Sequence, residues 1–182
     1  DRVGLAGLSA AYVSMPATER GMRLATATGE RRSFRLQDGS SLSLNASSRA
    51  LVDFRPDARR VTLENGQAIF DVARDPARPF RVTAGGGEIV ALGTRFDVDM
   101  RKSGVAVTVL GGAVKVTQAP GSATQLEAGQ QILFGDDIGL ARPRPADAED
   151  AAAWQSGRLV FAERPLSCLL YTSPSPRDQR GS

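Results

Sequence analysis

Between Met22 and Leu140 the chain repeats one pattern: a few residues that alternate apolar and polar, then a turn. Val105, Val107 and Val109 show it most cleanly, set between Ala106, Thr108 and Leu110. Period two is the signature of strands with unlike faces, because successive side chains leave a strand on opposite sides. Phe34 and Leu36 precede the turn Gln37-Asp38-Gly39-Ser40, and Leu42 and Leu44 resume after it. Val61 and Leu63 run to Glu64-Asn65-Gly66; Ala68, Phe70 and Val72 follow. Asp-Gly and Asn-Gly supply the positive φ that tight hairpins need. Phe80, Val82 and Ala84, then Val90 and Leu92, Phe96, Val98 and Met100, Val114 and Val116, and Leu126, Ile132 and Phe134 extend the series. The predicted fold is all-β: an antiparallel β-sandwich or jelly-roll-like stack of short strands, with a short C-terminal helix. One face of each strand stays polar, so each sheet should keep a wet side.

The flanks differ. Val3–Val13 is apolar and uncharged but 11 residues long, against the roughly 20 of a spanning helix. It reads either as the trailing end of a membrane helix or as a buried or disordered leader. After Pro143, Asp147 can cap a helix running through Gln155, with Glu149 and Asp150 in the first turn. Leu159-Val160-Phe161 reads as one more strand. Ser167–Ser182 carries Pro174 and Pro176 and no apolar period; it reads as a disordered tail foreign to the fold, a translated adaptor or cloning remnant. The predicted organisation is a leader over 1–21, a β-domain over 22–142, a helix and strand over 143–166, and the tail over 167–182.

Composition narrows the chemistry. There is no histidine, which removes the commonest general base and metal ligand. The one cysteine, Cys168, has no partner for a disulfide or a cysteine-rich metal site. No catalytic centre, cofactor or metal site is expected. Net charge is +3, nearly all of the positive charge being arginine, and acidic residues are interleaved throughout. Nucleic-acid binders cluster basic residues with stacking aromatics. Here Arg31-Arg32 and Arg59-Arg60 are short and read as solvated strand edges, so no nucleic-acid partner is expected.

Several groups have a sharper and a plainer reading. Asp97 and Asp99 sit two apart on one strand face and can be an acid/base pair, but the intact inward set Phe96, Val98 and Met100 favours a solvated outer face. Asp136-Asp137 is a turn pair. Gly85-Gly86-Gly87 lacks the Lys-Ser/Thr of a phosphate loop and reads as a hairpin connection. Trp154, the single tryptophan, reads as a packing anchor, not a sugar platform.

The ordered landmarks resemble the FecR family. They are LQDGSSLSLNASSRALVDF (Leu36–Phe54), RRVTLENGQAIFDVARDPARPFRVTAGGGEIVALGTRFDVDM (Arg59–Met100), VAVTVLGGAVKV (Val105–Val116), LEAGQQILF (Leu126–Phe134) and AWQSGRLVFAERPL (Ala153–Leu166). Arg78-Pro79-Phe80 followed by Leu92-Gly93-Thr94-Arg95-Phe96 is the most specific part. The resemblance implies a regulator tethered to the bacterial inner membrane by one helix, an anti-sigma factor in transcription regulation. Its periplasmic part senses the signalling domain of a TonB-dependent outer-membrane transporter, as in iron-siderophore uptake. Its cytoplasmic part controls an extracytoplasmic-function sigma factor. The leader would then be the periplasmic end of the membrane helix. The sequence departs from the family in lacking the cytoplasmic part and the small α+β region expected after Leu166, and in reading Leu110-Gly111-Gly112 where relatives often carry Glu. Some relatives cleave themselves at a Gly-Thr pair, which makes Gly93 and Thr94 a self-cleavage candidate; the plain reading is a turn of unusual glycine φ that starts a strand. The expected function is signal sensing and relay without turnover. The alternative is a secreted carbohydrate-binding or envelope-structural β-domain.

Overall fold

The computed structural model describes residues 21–157. The alternating stretches form β1 (Met22–Ala25), β2 (Arg32–Arg35), β3 (Ser41–Leu44), β4 (Arg49–Arg55), β5 (Ala58–Asn65), β6 (Gln67–Asp71), β7 (Phe80–Ala84) and β8 (Gly87–Ala91). They continue as β9 (Arg95–Arg101), β10 (Gly104–Gly111), β11 (Ala113–Ala119), β12 (Ser122–Glu127), β13 (Gln130–Gly135), β14 (Gly139–Leu140) and β15 (Arg144–Pro145). Helix α1 (Ala148–Ala152) and a 3-10 turn (Ala153–Ser156) close the described chain. The all-β expectation holds. The leader, the expected strand at Leu159–Phe161 and the tail lie outside the described residues.

Two sheets face each other. The first has the order β1-β4-β5-β7-β8-β11-β12; the second has β14-β13-β10-β9-β6-β3-β2, with β15 also on β13. Pairing is antiparallel except between β5 and β7, which run parallel with Arg59 beside Phe80 and Val61 beside Val82. The parallel pair exists because the chain crosses to β6 in the second sheet before returning as β7.

The core lies between the sheets and is almost entirely hydrocarbon. Phe70 and Phe96 are opposite one another in register and stack at 5.1 Å. Phe80 of the first sheet meets Phe70 edge-on at 6.0 Å and Phe54 at 5.8 Å. This row of rings crosses the layers, with Val82, Ile89, Val98, Val107, Val116 and Ile132 buried around it. Each such aromatic contact adds about 1 kcal/mol to the stabilisation from area burial.

The turns follow their sequence signals. Gly39 and Gly66 take φ of +86° and +88°. The triple glycine is the β7–β8 hairpin, with Gly85 and Gly86 at positive φ. Gly112 turns the chain from β10 into β11 at φ +81°.

The wet-face expectation fails on the second sheet. Along β10, Ala106 and Thr108 are buried although they face away from the core, as is Asp97 on β9. The cover is the segment 147–157. Asp147 caps α1 as expected, accepting from the Glu149 and Asp150 amides at 2.8 and 3.4 Å. The helix ends earlier than predicted, at Ala152, and tightens into the 3-10 turn that stops at Gly157 with φ +74°.

Candidate functional sites: the Gly93–Thr94 junction and the buried Asp97

Leu92, Gly93 and Thr94 carry the chain from β8 in one sheet to β9 in the other. The junction is held from several sides. The Leu92 carbonyl accepts from the Asp75 amide at 3.3 Å, and the Thr94 carbonyl accepts from the Val72 amide at 3.0 Å. The Thr94 hydroxyl, nearly buried, donates to the Ala113 carbonyl at 2.7 Å. A Cβ on Gly93 would lie 3.0 Å from Arg74 Cβ, so close approach of the 73–78 loop requires glycine here. Gly93 does not take a positive φ, contrary to the turn expected from sequence; its role is steric. A Cβ on Gly112 would in turn lie 3.1 Å from the Gly93 carbonyl oxygen. A cavity of about 530 Å³ opens beside the junction, lined by Val90, Leu92, Gly93, Thr94, Val114 and Lys115 among others. It gives water access to the peptide.

The loop on Gly93 is itself anchored by a group that the sequence misassigned. Arg59 is fully buried, not a solvated edge residue. Its Nη1 donates to Asp38 Oδ2 and to the Ala73 carbonyl, each at 2.8 Å. Its Nε donates to the Arg78 carbonyl at 2.7 Å, and the guanidinium sits 5.4 Å from the Phe80 ring. One side chain thus ties β5, the β2–β3 turn and both ends of the 73–78 loop. Burial alone would raise the Asp38 carboxyl. Hydrogen bonds from Ser40 and Arg59, with the Arg59 charge, overcome it and hold the carboxyl below its usual range. A signal was present: Arg59 shares parity with Val61 and Leu63, so period two aims it inward.

Asp97 also departs from expectation. It shares a face with Asp99, as the spacing requires, but is 2% exposed. Gln67 Nε2 donates to both carboxyl oxygens at 3.0 and 3.1 Å, and Trp154 Nε1 to Oδ1 at 3.4 Å. Burial pushes its pKa up to about 7, with the nearby Asp99 charge acting the same way against the hydrogen bonds from Gln67 and Trp154. Asp99 instead pairs with Arg101 at 2.6 Å and stays partly exposed. Both carboxyls line one open cavity of about 480 Å³ beside Arg31 and Arg101, but each is already engaged, Asp97 by Gln67 and Trp154 and Asp99 by Arg101. Trp154 is the packing anchor expected, but one that lies on a polar face.

The comparisons with known proteins agree with this architecture. No curated protein matches the chain. Two crystal structures of a "putative anti-sigma factor" from Parabacteroides distasonis ATCC 8503, at 2.50 and 1.65 Å resolution, superpose with TM-scores of 0.71 at 31% identity. They cover 82% and 81% of this chain and 71% of their own. The FecR protein family matches residues 22–115, from β1 into β11, and includes the Arg59 clamp, the Gly93–Thr94 junction and Asp97. With that match spanning more than half the sequence, and a neighbour of the same sandwich at 31% identity, the chain belongs to the FecR protein family.

Proposed function

We propose that this β-sandwich is the sensing and relay domain of an inner-membrane regulator, an anti-sigma factor that works by protein contact and not by turnover. The observation that carries the reading is the FecR match over 22–115 together with the likeness to a neighbour named as an anti-sigma factor. On this reading the domain lies in the periplasm. It receives the signalling domain of a TonB-dependent outer-membrane transporter and passes the state of uptake to an extracytoplasmic-function sigma factor. Among the described residues no helix is long and apolar enough to cross a membrane; the reading places the tether toward residues 1–21 and a small α+β region beyond residue 166. The site chemistry supports a binding role. The buried polar groups are spent on structure: Arg59 on loop carbonyls, Asp97 on Gln67 and Trp154. Sugar-binding platforms use exposed rings, whereas the large exposed apolar side chains among the described residues are Met22, Leu92 and Ile138.

The test is capture of the transporter's signalling domain by the regulator carried in its membrane with its complete periplasmic region. Retention on the regulator, and loss of sigma-factor control when the β-domain is deleted, are expected. A cleaved secretion signal upstream, with no capture, would favour a secreted envelope domain instead.

The same reading makes Gly93–Thr94 a self-cleavage site. The Thr94 hydroxyl oxygen attacks the Gly93 carbonyl carbon, its proton leaving to water in the adjoining cavity. The C–N bond then breaks and the Thr94 nitrogen takes up a proton, leaving an ester. Water hydrolyses the ester to a Gly93 carboxylate and the free hydroxyl. β8 and β9 lie in different sheets, so both halves stay in the sandwich after the cut. Denaturing gels of the full-length regulator are expected to show two fragments for wild type and one band for Thr94→Ala. A wild type that stays whole in every condition removes the site.

A further inference from the structure

We propose that the segment Asp147–Gly157 is a detachable latch on the outer face of the second sheet, opening as one unit while the sandwich beneath stays folded. The inference is independent of which partner the domain serves.

The geometry separates the latch from the core. Of the residues in α1 and the 3-10 turn, Ala153 alone is buried. Apart from Ala153 and the half-buried Trp154 ring, what holds the segment down is polar. Trp154 Nε1 donates to Asp97, and Gln155 Nε2 donates to Ser43 Oγ at 2.8 Å. Gln155 Oε1 accepts from Arg95 at 2.7 Å, and the Trp154 carbonyl accepts from Arg31 at 2.9 Å. Each of these bonds can be exchanged for one to water at small net cost, whereas opening the sandwich exposes the whole hydrocarbon core. Segments with few buried apolar contacts open at far lower free energy than the core they rest on.

Opening also has a charge term. Under the latch Asp97 is buried and its pKa stands at about 7; once the latch lifts, water reaches the carboxyl and the ordinary value near 3.8 returns. The charged groups around it are Asp99 and Arg101 on its own strand, Asp147 and Asp150 on the latch side, and Arg31 ahead of β2. The other neighbours, Gln67, Thr108 and Gln131, do not titrate. The closed state holds the proton more tightly. Closure is therefore favoured most below about pH 4, weakens as pH rises through the interval up to about 7, and is level above it. Between pH 5 and pH 8 the closure constant falls on the order of a hundredfold. Because Arg95 follows Thr94 directly, the latch also touches the strand that begins at the junction.

Trp154 is the only tryptophan, so its fluorescence reports the latch alone. In the full chain we expect quencher access to Trp154 to rise between pH 5 and pH 8 while the far-UV circular dichroism of the strands does not change. In urea at pH 8 the tryptophan transition should precede the strand transition. Asp97→Asn, which keeps an oxygen for Trp154 and Gln67 but does not ionise, should remove the pH dependence. If that variant fails to fold, the wild-type urea comparison still decides. Coincident tryptophan and strand transitions at pH 8, or a tryptophan signal flat across the pH range, overturns the proposal.

Discussion

At the scale of single residues, Arg59 sets the balance between charge and burial. A guanidinium removed from water is costly, and Asp38 at 2.8 Å with three loop carbonyls offsets that cost. Removing one partner leaves the other buried without compensation. Arg59→Met should therefore cost about 3–5 kcal/mol in urea unfolding, while Arg59→Met combined with Asp38→Asn should recover part of that loss. The pair also has a definite acid response. Asp38 is held below its usual range in the fold, so its contribution is present at neutral pH and is lost as pH falls through its folded pKa. Asp38→Asn should flatten the acid limb of the unfolding curve. The loop that Arg59 anchors is the one seated on Gly93, so Arg59→Met should also loosen the junction.

Among the elements, the corner between β5 and β6 depends on one backbone conformation and one close approach. Gly66 has φ +88°, and a Cβ there would lie 2.7 Å from the Ser48 Cα, with the Ser48 side chain nearer still. The Ser48 hydroxyl in turn accepts from the Gln67 amide at 3.0 Å. Gly29 has a comparable φ of +76° but open space around it. Gly29→Ala should cost about 1 kcal/mol, from the left-handed backbone alone. Gly66→Ala should cost roughly 2 kcal/mol beyond that, because backbone and not a flexible side-chain tip must move. Thermal unfolding of the two variants side by side checks the difference.

For the molecule as a whole, two buried carboxyls shifted in opposite senses pull the pH profile in opposite directions. Asp38 favours the fold as pH rises from acid. Asp97, pushed up to about 7 by burial, works against it between its unfolded value and neutrality. The stability that Asp97 contributes is complete below about pH 4 and gone above about pH 7. Asp97→Asn should thus gain on the wild type as pH increases, reaching about 1–3 kcal/mol at pH 8 in chemical denaturation. A gap that does not change with pH would mean that the Asp97 carboxyl titrates alike in the folded and the unfolded chain, its burial relieved by water.

Alternation in the amino-acid order was enough for the strands, the hairpin glycines, the Asp147 cap and the face on which each side chain leaves its strand. These are consequences of local geometry: the strand period, the need for positive φ, and orphan amides at a helix start. It was enough even for the inward aim of Arg59, once parity is weighed above charge. Local order could not say what stands over a face. Asp97 points away from the core, as its parity demands, yet it is buried because Trp154, far along the chain, comes to lie on it. Likewise the β5–β7 parallel pair, and the packing of the 73–78 loop against Gly93, arise from crossings between sheets. Desolvation depends on every atom near a group in space, and a chain folded into two layers brings together groups that no local pattern connects.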